Sequence, residues 1–511
     1  MAVAEAPMCR GCHFAWWIPV GAILICGLYA PTLQTRFDFA DDGILVYPDS
    51  KLSVAGQFEQ VWQHSRTEFF DRGPFRPMTW AHWDLAAYLL GPNDVARRLE
   101  RFAWSILAAA SLMWFLYELR LHPQAILLAA ALSMWNPYRG EIWIGLGLTE
   151  AFAMPYALVA LAAALRAARS PRAIGWDALA IVCLVAALAV KNTFAALIPA
   201  IVYMRLVGGG LSLRDGLRKH FWTAGVYALT LIYPVTHFIL FKLNPSVSSY
   251  STGFDPNQLP RFLKSLTGGM SRDVMAPGLI AIFAAIVIAR RRGVDLQMAQ
   301  YRTAIVAGLL LLAAGTAVYL PINGVAGRYT IPAIWGADVL VAVLLSILFR
   351  APVRFWSKLA SALFIIGLAV VAVMSVGKQV QVKARNELFW QALEHVETNL
   401  PRGAEIGWLG TDVVGVKTKE LPFSEGFHFQ GHLVGRQQSD IKIKPLLRNN
   451  PPASADWPPW VMTGTDVPPS TGEWVLIRRF ESRYWAERRT YECFLWTRAA
   501  KPRRKFWGPV A

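Results

Sequence analysis

The residues of this chain best placed to do chemistry begin with Phe37-Asp38-Phe39-Ala40-Asp41-Asp42, which follows directly on the first long apolar stretch, about 14–35. Carboxylates at a membrane boundary are costly, and by default they mark function. There, Asp41 or Asp42 can bind a cation, pair with one, carry protons or act as a general base on a hydroxyl or amine within reach. Arg76, in Phe75-Arg76-Pro77, stands on backbone that the proline stiffens. A guanidinium grips phosphate through paired hydrogen bonds. Lys191, in Lys191-Asn192, interrupts the otherwise apolar run 178–204, and reads as a phosphate contact or the partner of an acid. Glu141, in Asn136-Pro137-Tyr138-Arg139-Gly140-Glu141, reads as a partner for Arg139 or Lys191 or as a contact to a polar substrate. Glu150 is a weaker candidate of the same kind, and His82 and Asp84 follow Arg76 in an aromatic setting. Each has a plainer competing role: a solvated acidic turn, an interfacial arginine, a snorkelling lysine.

The elements that must carry these side chains are membrane helices. The 511 residues are 55% hydrophobic and only 17% charged, with a mean hydropathy of +0.34. Soluble chains carry roughly 25% charge. The net charge of +17 would suggest nucleic acid in a soluble protein, but here the Lys and Arg residues cluster between apolar segments, as in membrane proteins. Against the requirement of roughly 20 apolar residues per crossing, eleven segments qualify, near 14–35, 99–119, 122–138, 149–167, 174–190, 193–207, 221–241, 276–290, 302–320, 328–349 and 357–376. Four loops between them are strongly basic: 166–172, 205–219, 290–302 and 350–358. They fall on one side, which the positive-inside rule makes the cytoplasm. The acidic cluster and everything after about Gly377 are then outside. Arg328, in Gly327-Arg328-Tyr329, opens the tenth crossing from the outside, against that trend, which raises its interest. The first segment lacks a cleavage site and reads as a retained anchor. Cys9 and Cys12 read as two thiols in a short tail, since a metal site would need two more ligands.

The first outer loop, about 36–98, contains a stretch, 54–70, that reads as a helix lying on the membrane surface. The region 242–275 reads as a loop. After Val376 the chain turns polar, with a helix pattern near 380–399, short strand-like runs such as 405–409 and 473–478, and a Pro-rich loop over 445–470. The expected architecture is an all-α polytopic membrane bundle of about eleven helices, residues 1–377, followed by a small α/β domain outside the membrane, residues 378–511.

In order along the chain, the motifs resemble those of the GT-C superfamily of membrane glycosyltransferases, in particular the protein O-mannosyltransferase branch. The acidic pair Asp41-Asp42 follows the first crossing. Phe75-Arg76-Pro77-Met78-Thr79 looks like the family's Arg-Pro-Leu-Thr, and Asn136 to Glu141 is similar to its His-Pro-Val-His-Thr-Glu. Lys191-Asn192-Thr193 looks like its Lys-Glu-Thr element, and Gly327-Arg328-Tyr329-Thr330-Ile331-Pro332 is similar to its Glu-Arg-Tyr-x-x-x-Pro. The resemblance covers about residues 14–350. It departs at Asn136, in place of His, and at Asn192, in place of the acid; the C-terminal region shows no tetratricopeptide pattern.

The resemblance implies a catalytic first outer loop and transfer of a sugar from a polyprenyl-phosphate donor to a protein, lipid or glycan acceptor outside the cytoplasm, with inversion. It implies Asp41 or Asp42 as the base, Asp41 the favoured one, and Arg76, Lys191 and Arg328 as holding the donor phosphate or the loop, with Glu141 and Tyr329 near the substrate. Cationic side chains can stabilise the leaving group without a metal, although the Asp pair could hold a divalent cation. A bacterial inner membrane is the expected location. Two other readings compete. A transporter or lipid-linked-sugar flippase would need deep ionisable residues and inverted repeats, and a non-enzymatic scaffold would be indifferent to the carboxylates.

Overall fold

The computed structural model describes residues 16–37, 53–72, 75–243, 258–269, 271–319, 330–350, 354–411, 421–422, 425–436, 440–448, 456–469, 473–484 and 489–498. Among these, eight helices are long and apolar enough to cross a membrane, and two apolar helical segments are shorter. The protein is a polytopic membrane protein built almost wholly of helices, with one small sheet.

Helix α1 (Trp17–Cys26) runs on as tighter 3-10 turns through Gln34, around Pro31. Helices α2 (Val54–Arg72) and α3 (Pro77–Leu90) fold back on each other. Pro77 occupies the first turn of α3, where its missing N–H costs nothing. Helix α4 (Asp94–Glu118) is capped by Asn93, whose Oδ1 accepts from Ala96 N at 3.0 Å. The expected crossing at 122–138 is a short helix, α5 (Pro123–Trp135), then α6 (Pro137–Ile144). Thirteen helical residues reach only about 20 Å, and Pro137 holds Asn136 in extended backbone between the two helices.

Helices α7 (Glu150–Ala167) and α8 (Ala173–Val190) follow, then 3-10 turns at Asn192–Leu197 leading into α9 (Ile198–Val207). The segment expected to cross as one helix at 221–241 is broken at Thr230-Leu231 into α10 (Leu213–Leu229) and α11 (Ile232–Leu243). Part of the region expected to be a loop, 242–275, forms α12 (Gln258–Gly269). Helices α13 (Arg272–Arg291), α14 (Arg302–Tyr319) and α15 (Ile331–Arg350) complete the bundle.

Helices α7 and α15 sit at its centre, buried on nearly every side. The alanines of α7 and the glycines of α14 and α15 allow close approach, the usual means of helix association in lipid. A Cβ on Gly336 would lie 2.4 Å from Gly308 O, and one on Gly315 2.4 Å from Ala333 N. Two of the arginines inside are paired with acids. Arg139 Nη1 donates to Asp338 Oδ2 at 2.7 Å. Arg205 binds both oxygens of Asp177 at 2.8 and 3.0 Å, and Tyr227 adds a hydroxyl at 2.9 Å.

The basic loops gather at one end. Arg169 Nε donates to Gly208 O at 2.8 Å, His122 N to Ser346 Oγ at 3.0 Å, and Arg350 Nη1 to Gln300 Oε1 at 2.7 Å.

The last crossing and the expected helix at 380–399 are one helix, α16 (Arg354–Asn399), 46 residues long. At 1.5 Å per residue it reaches about 69 Å, well beyond the roughly 30 Å hydrocarbon layer. Its far end packs against a sheet whose central strand, β1 (Glu405–Thr411), is parallel to short β2 (Leu421–Pro422), to β3 (Lys442–Leu447) and to β4 (Trp460–Thr463). Helix α17 (Glu425–Gly435) makes the crossover to β3 that a parallel pair requires. Antiparallel β6 (Arg489–Arg498) pairs with β4 and carries β5 (Trp474–Tyr484) at the edge. The stretch 445–470, expected to be a Pro-rich loop, thus contributes the end of β3 and all of β4.

Candidate functional site

At the end of the bundle opposite the basic loops, two arginines on the first turns of α4 organise the backbone. Arg98 and Arg101 are fully buried. Arg98 donates to Ile144 O, to Arg36 O at 2.7 Å and to Thr35 O at 3.4 Å. Arg101 donates to Leu146 O and to Leu148 O at 3.0 Å, and its guanidinium lies 4.6 Å from the Phe152 ring centroid. Trp83 Nε1 adds a bond to Leu146 O at 3.3 Å. Four donors thus fix the 144–148 turn, and Arg98 ties it to residues 35–36, which lead into the acidic cluster. A buried guanidinium is tolerable because carbonyl oxygens satisfy its several N–H groups.

That turn feeds α7, whose first residue, Glu150, pairs with Lys191. Lys191 closes α8 and is largely buried, with 13% of its side chain exposed. In the structure Lys191 thus pairs with Glu150, the weaker of the candidate acids in the sequence. Arg139 is matched by Asp338, because α6 turns it inward towards α15. Glu141 lies on α6, and its side chain is not among those described.

One hydrogen bond away, Thr79 Oγ1 donates to Val190 O at 3.0 Å, which joins the start of α3 to the end of α8. Arg76, just before α3, pairs with Glu68 on α2. Glu68 also accepts from Trp80 Nε1 at 2.9 Å, while Arg76 Nε, buried, has no hydrogen-bond partner among the described residues. One turn on, Asp84 Oδ2 meets His64 Nδ1 at 3.1 Å. The α2–α3 hairpin is thus closed by a polar ladder. His82 stands apart from it, stacked on Phe152 at 4.6 Å and facing Tyr156 Oη at 3.2 Å.

Phe75 N donates to His237 Nε2 at 3.1 Å, and Tyr233 Oη donates to Phe75 O. These bonds tie the Arg76 turn to α11. Against the same turn lies an apolar cavity of about 760 Å³, lined by Trp62, Phe69, Phe75, Leu188, Tyr233 and His237 among others.

Arg76 and Lys191 therefore belong to one end of the bundle, with residues 35–37. Asp38, Asp41, Asp42, Arg328 and Tyr329 lie outside the described residues. Among the described residues no group of three or more His, Cys, Asp or Glu side chains could hold a metal ion. Sequence reasoning passes over Glu68, Arg98 and Arg101. The two arginines carried a signal, for they open an apolar helix on the side away from the basic loops, the same anomaly that singles out Arg328.

No family model and no curated protein matches the chain. Solved structures do. The chain is similar to ArnT from Cupriavidus metallidurans in the apo state, at 13% identity and a TM-score of 0.50, over 94% of this chain and 97% of that one. ArnT bound to undecaprenyl phosphate matches at 14% identity and a TM-score of 0.45, over 84% and 89%. The archaeal oligosaccharyltransferase AglB from Archaeoglobus fulgidus, in complex with an inhibitory peptide and a dolichol-phosphate, matches at 11% and 0.42, over 88% and 69%. The apo ArnT likeness runs nearly the length of both chains, and it shows the fold: this chain is folded as ArnT is.

Proposed function

We propose that the protein is a membrane glycosyltransferase that moves a sugar from a polyprenyl-phosphate donor to an acceptor outside the cytoplasm, in a bacterial inner membrane. The observation that carries this reading is the meeting, at the end away from the basic loops, of the Arg76 turn, the Lys191–Glu150 pair and the anchored approach to the acidic cluster. The apolar cavity beside Phe75 suits an isoprenoid chain whose phosphate lies near Arg76. A carboxylate, Asp41 or Asp42, takes the proton of an acceptor hydroxyl. The oxygen attacks the anomeric carbon, the bond from that carbon to the phosphate oxygen breaks, and the electron pair leaves on the phosphate. Arg76, Lys191 and Arg328 stabilise that developing charge, so the chemistry needs positioned cations at the leaving group. A single displacement inverts the anomeric centre. Glu141 and Tyr329 are proposed contacts to the substrate.

The test is turnover of polyprenyl-phosphate sugars by the purified protein. Loss of a general base costs about 10²- to 10⁴-fold, so at least one of Asp41→Asn and Asp42→Asn should lose activity on that scale. Full activity in both variants refutes the assignment.

A further inference from the structure

We propose that the outer domain is a positioning part of the active site: Trp390 and Glu394 of α16, together with Arg98 of α4, hold residues 35–37 and so set where the acidic segment leaves the bundle. This rests on the reading of Asp41 or Asp42 as the base. Phe37 follows directly on the first crossing, yet its side chain, 2% exposed, belongs to the hydrophobic core of the outer domain with Leu388, Phe389, Trp390 and Leu393. Leu146, from the turn held by Arg101, enters the same core. Trp390 Nε1 donates to Phe37 O at 3.1 Å. Arg36 Nη2 meets Glu394 Oε1 at 2.8 Å, and its guanidinium lies 5.0 Å from the Trp390 ring centroid. From the membrane side, Arg98 donates to Arg36 O and Thr35 O.

The carbonyls of three successive residues are thus each bound by a buried side chain: Arg98 holds two from the bundle side and Trp390 one from the outer domain. That is more constraint than a passing loop needs. Asp41 lies four positions after Phe37, and four steps of chain reach at most about 14 Å, so displacement at Phe37 is felt at the carboxylate. A misplacement of about 1 Å in a catalytic group can cost about 100-fold.

Trp390→Phe keeps the ring in the core and removes only the N–H. Arg36→Gln removes the pair with Glu394 and the contact over the ring. Two readouts apply to the full-length protein: hydrogen–deuterium exchange of the peptide spanning 38–52, and the separation of kcat from KM for the polyprenyl-phosphate sugar. The expected result is faster exchange in 38–52 for both variants. With it, kcat falls about ten-fold or more, while KM for the donor and the thermal midpoint stay near those of the parent. Unchanged exchange in both variants overturns the anchoring, and faster exchange with unchanged kcat in both overturns its role in positioning. Asp41→Asn and Asp42→Asn serve as separate controls: if both remain active, the base assignment fails while the exchange comparison still decides the anchoring.

Discussion

On the proposed reading, Arg76 meets two demands with one guanidinium. Glu68 already takes one of its edges, and its buried Nε is without a hydrogen-bond partner among the described residues. Five N–H donors in a fixed fork allow it to keep Glu68 and still offer a second edge to a phosphate. A lysine cannot, because an ammonium acts as a point charge. Arg76→Lys is therefore expected to fold, since the pair with Glu68 survives, but to lose at least about ten-fold in kcat/KM for the donor. That matches about 1.4 kcal/mol for one charge-assisted hydrogen bond. Kinetics with a polyprenyl-phosphate sugar, set beside the thermal midpoint, check this; undiminished kcat/KM would leave Arg76 as a structural partner of Glu68. At this scale the sequence shows which residue types are unusual, and it finds Arg76 and Lys191. It does not show their partners. Glu68 lies eight residues from Arg76 and Glu150 lies 41 from Lys191, separations at which only the fold decides who meets whom.

The helices show where local chemistry is enough and where packing takes over. Pro137 punctuates the sequence and does divide α5 from α6. The break at Thr230-Leu231 has no proline or glycine at its centre, so apolar content alone reads the stretch as one crossing. In the other direction, the change to polar composition after Val376 suggests a boundary, whereas α16 continues through it because nothing there interrupts the backbone hydrogen bonds. The pair Arg139–Asp338 joins α6 to α15 in the middle of the bundle. Asp338 is in an apolar helix that a sequence reading treats as a plain crossing. Removing one partner of a buried pair leaves a naked charge, at a cost of about 3–5 kcal/mol. Asp338→Asn should therefore lower the thermal midpoint in detergent markedly. The double change Arg139→Met with Asp338→Leu should recover most of the loss, since neither charge remains. A double variant no better than Asp338→Asn would show that the pair orients α6 by its hydrogen bonds, and that its charge balance is secondary.

At the scale of the whole molecule, the direction of the chain through the membrane decides whether the proposed chemistry is even possible. The basic connections α7–α8 and α9–α10 meet through the bond of Arg169 to Gly208, and α13–α14 and α15–α16 through that of Arg350 to Gln300, all at one end. Lys191, Glu150, Arg98 and the C-terminal domain lie at the other. From the charge bias of loops we propose that the first end is cytoplasmic, with polyprenyl-phosphate sugars then used on the far side. This end-to-end asymmetry is the part of the fold most legible in the sequence, because loop charge needs no knowledge of packing. Two glycines with positive φ mark the ends in tight turns: Gly293 after α13, and Gly403 between α16 and β1. In a cysteine-free background, Gly293→Cys and Gly403→Cys report on opposite faces. A membrane-impermeant maleimide added to intact cells should label position 403 and leave 293 unreacted until the membrane is opened. The reverse pattern would put Arg76, Lys191 and the start of the acidic segment in the cytoplasm. Transfer to an extracytoplasmic acceptor would then be ruled out, however well the cavity fits the lipid.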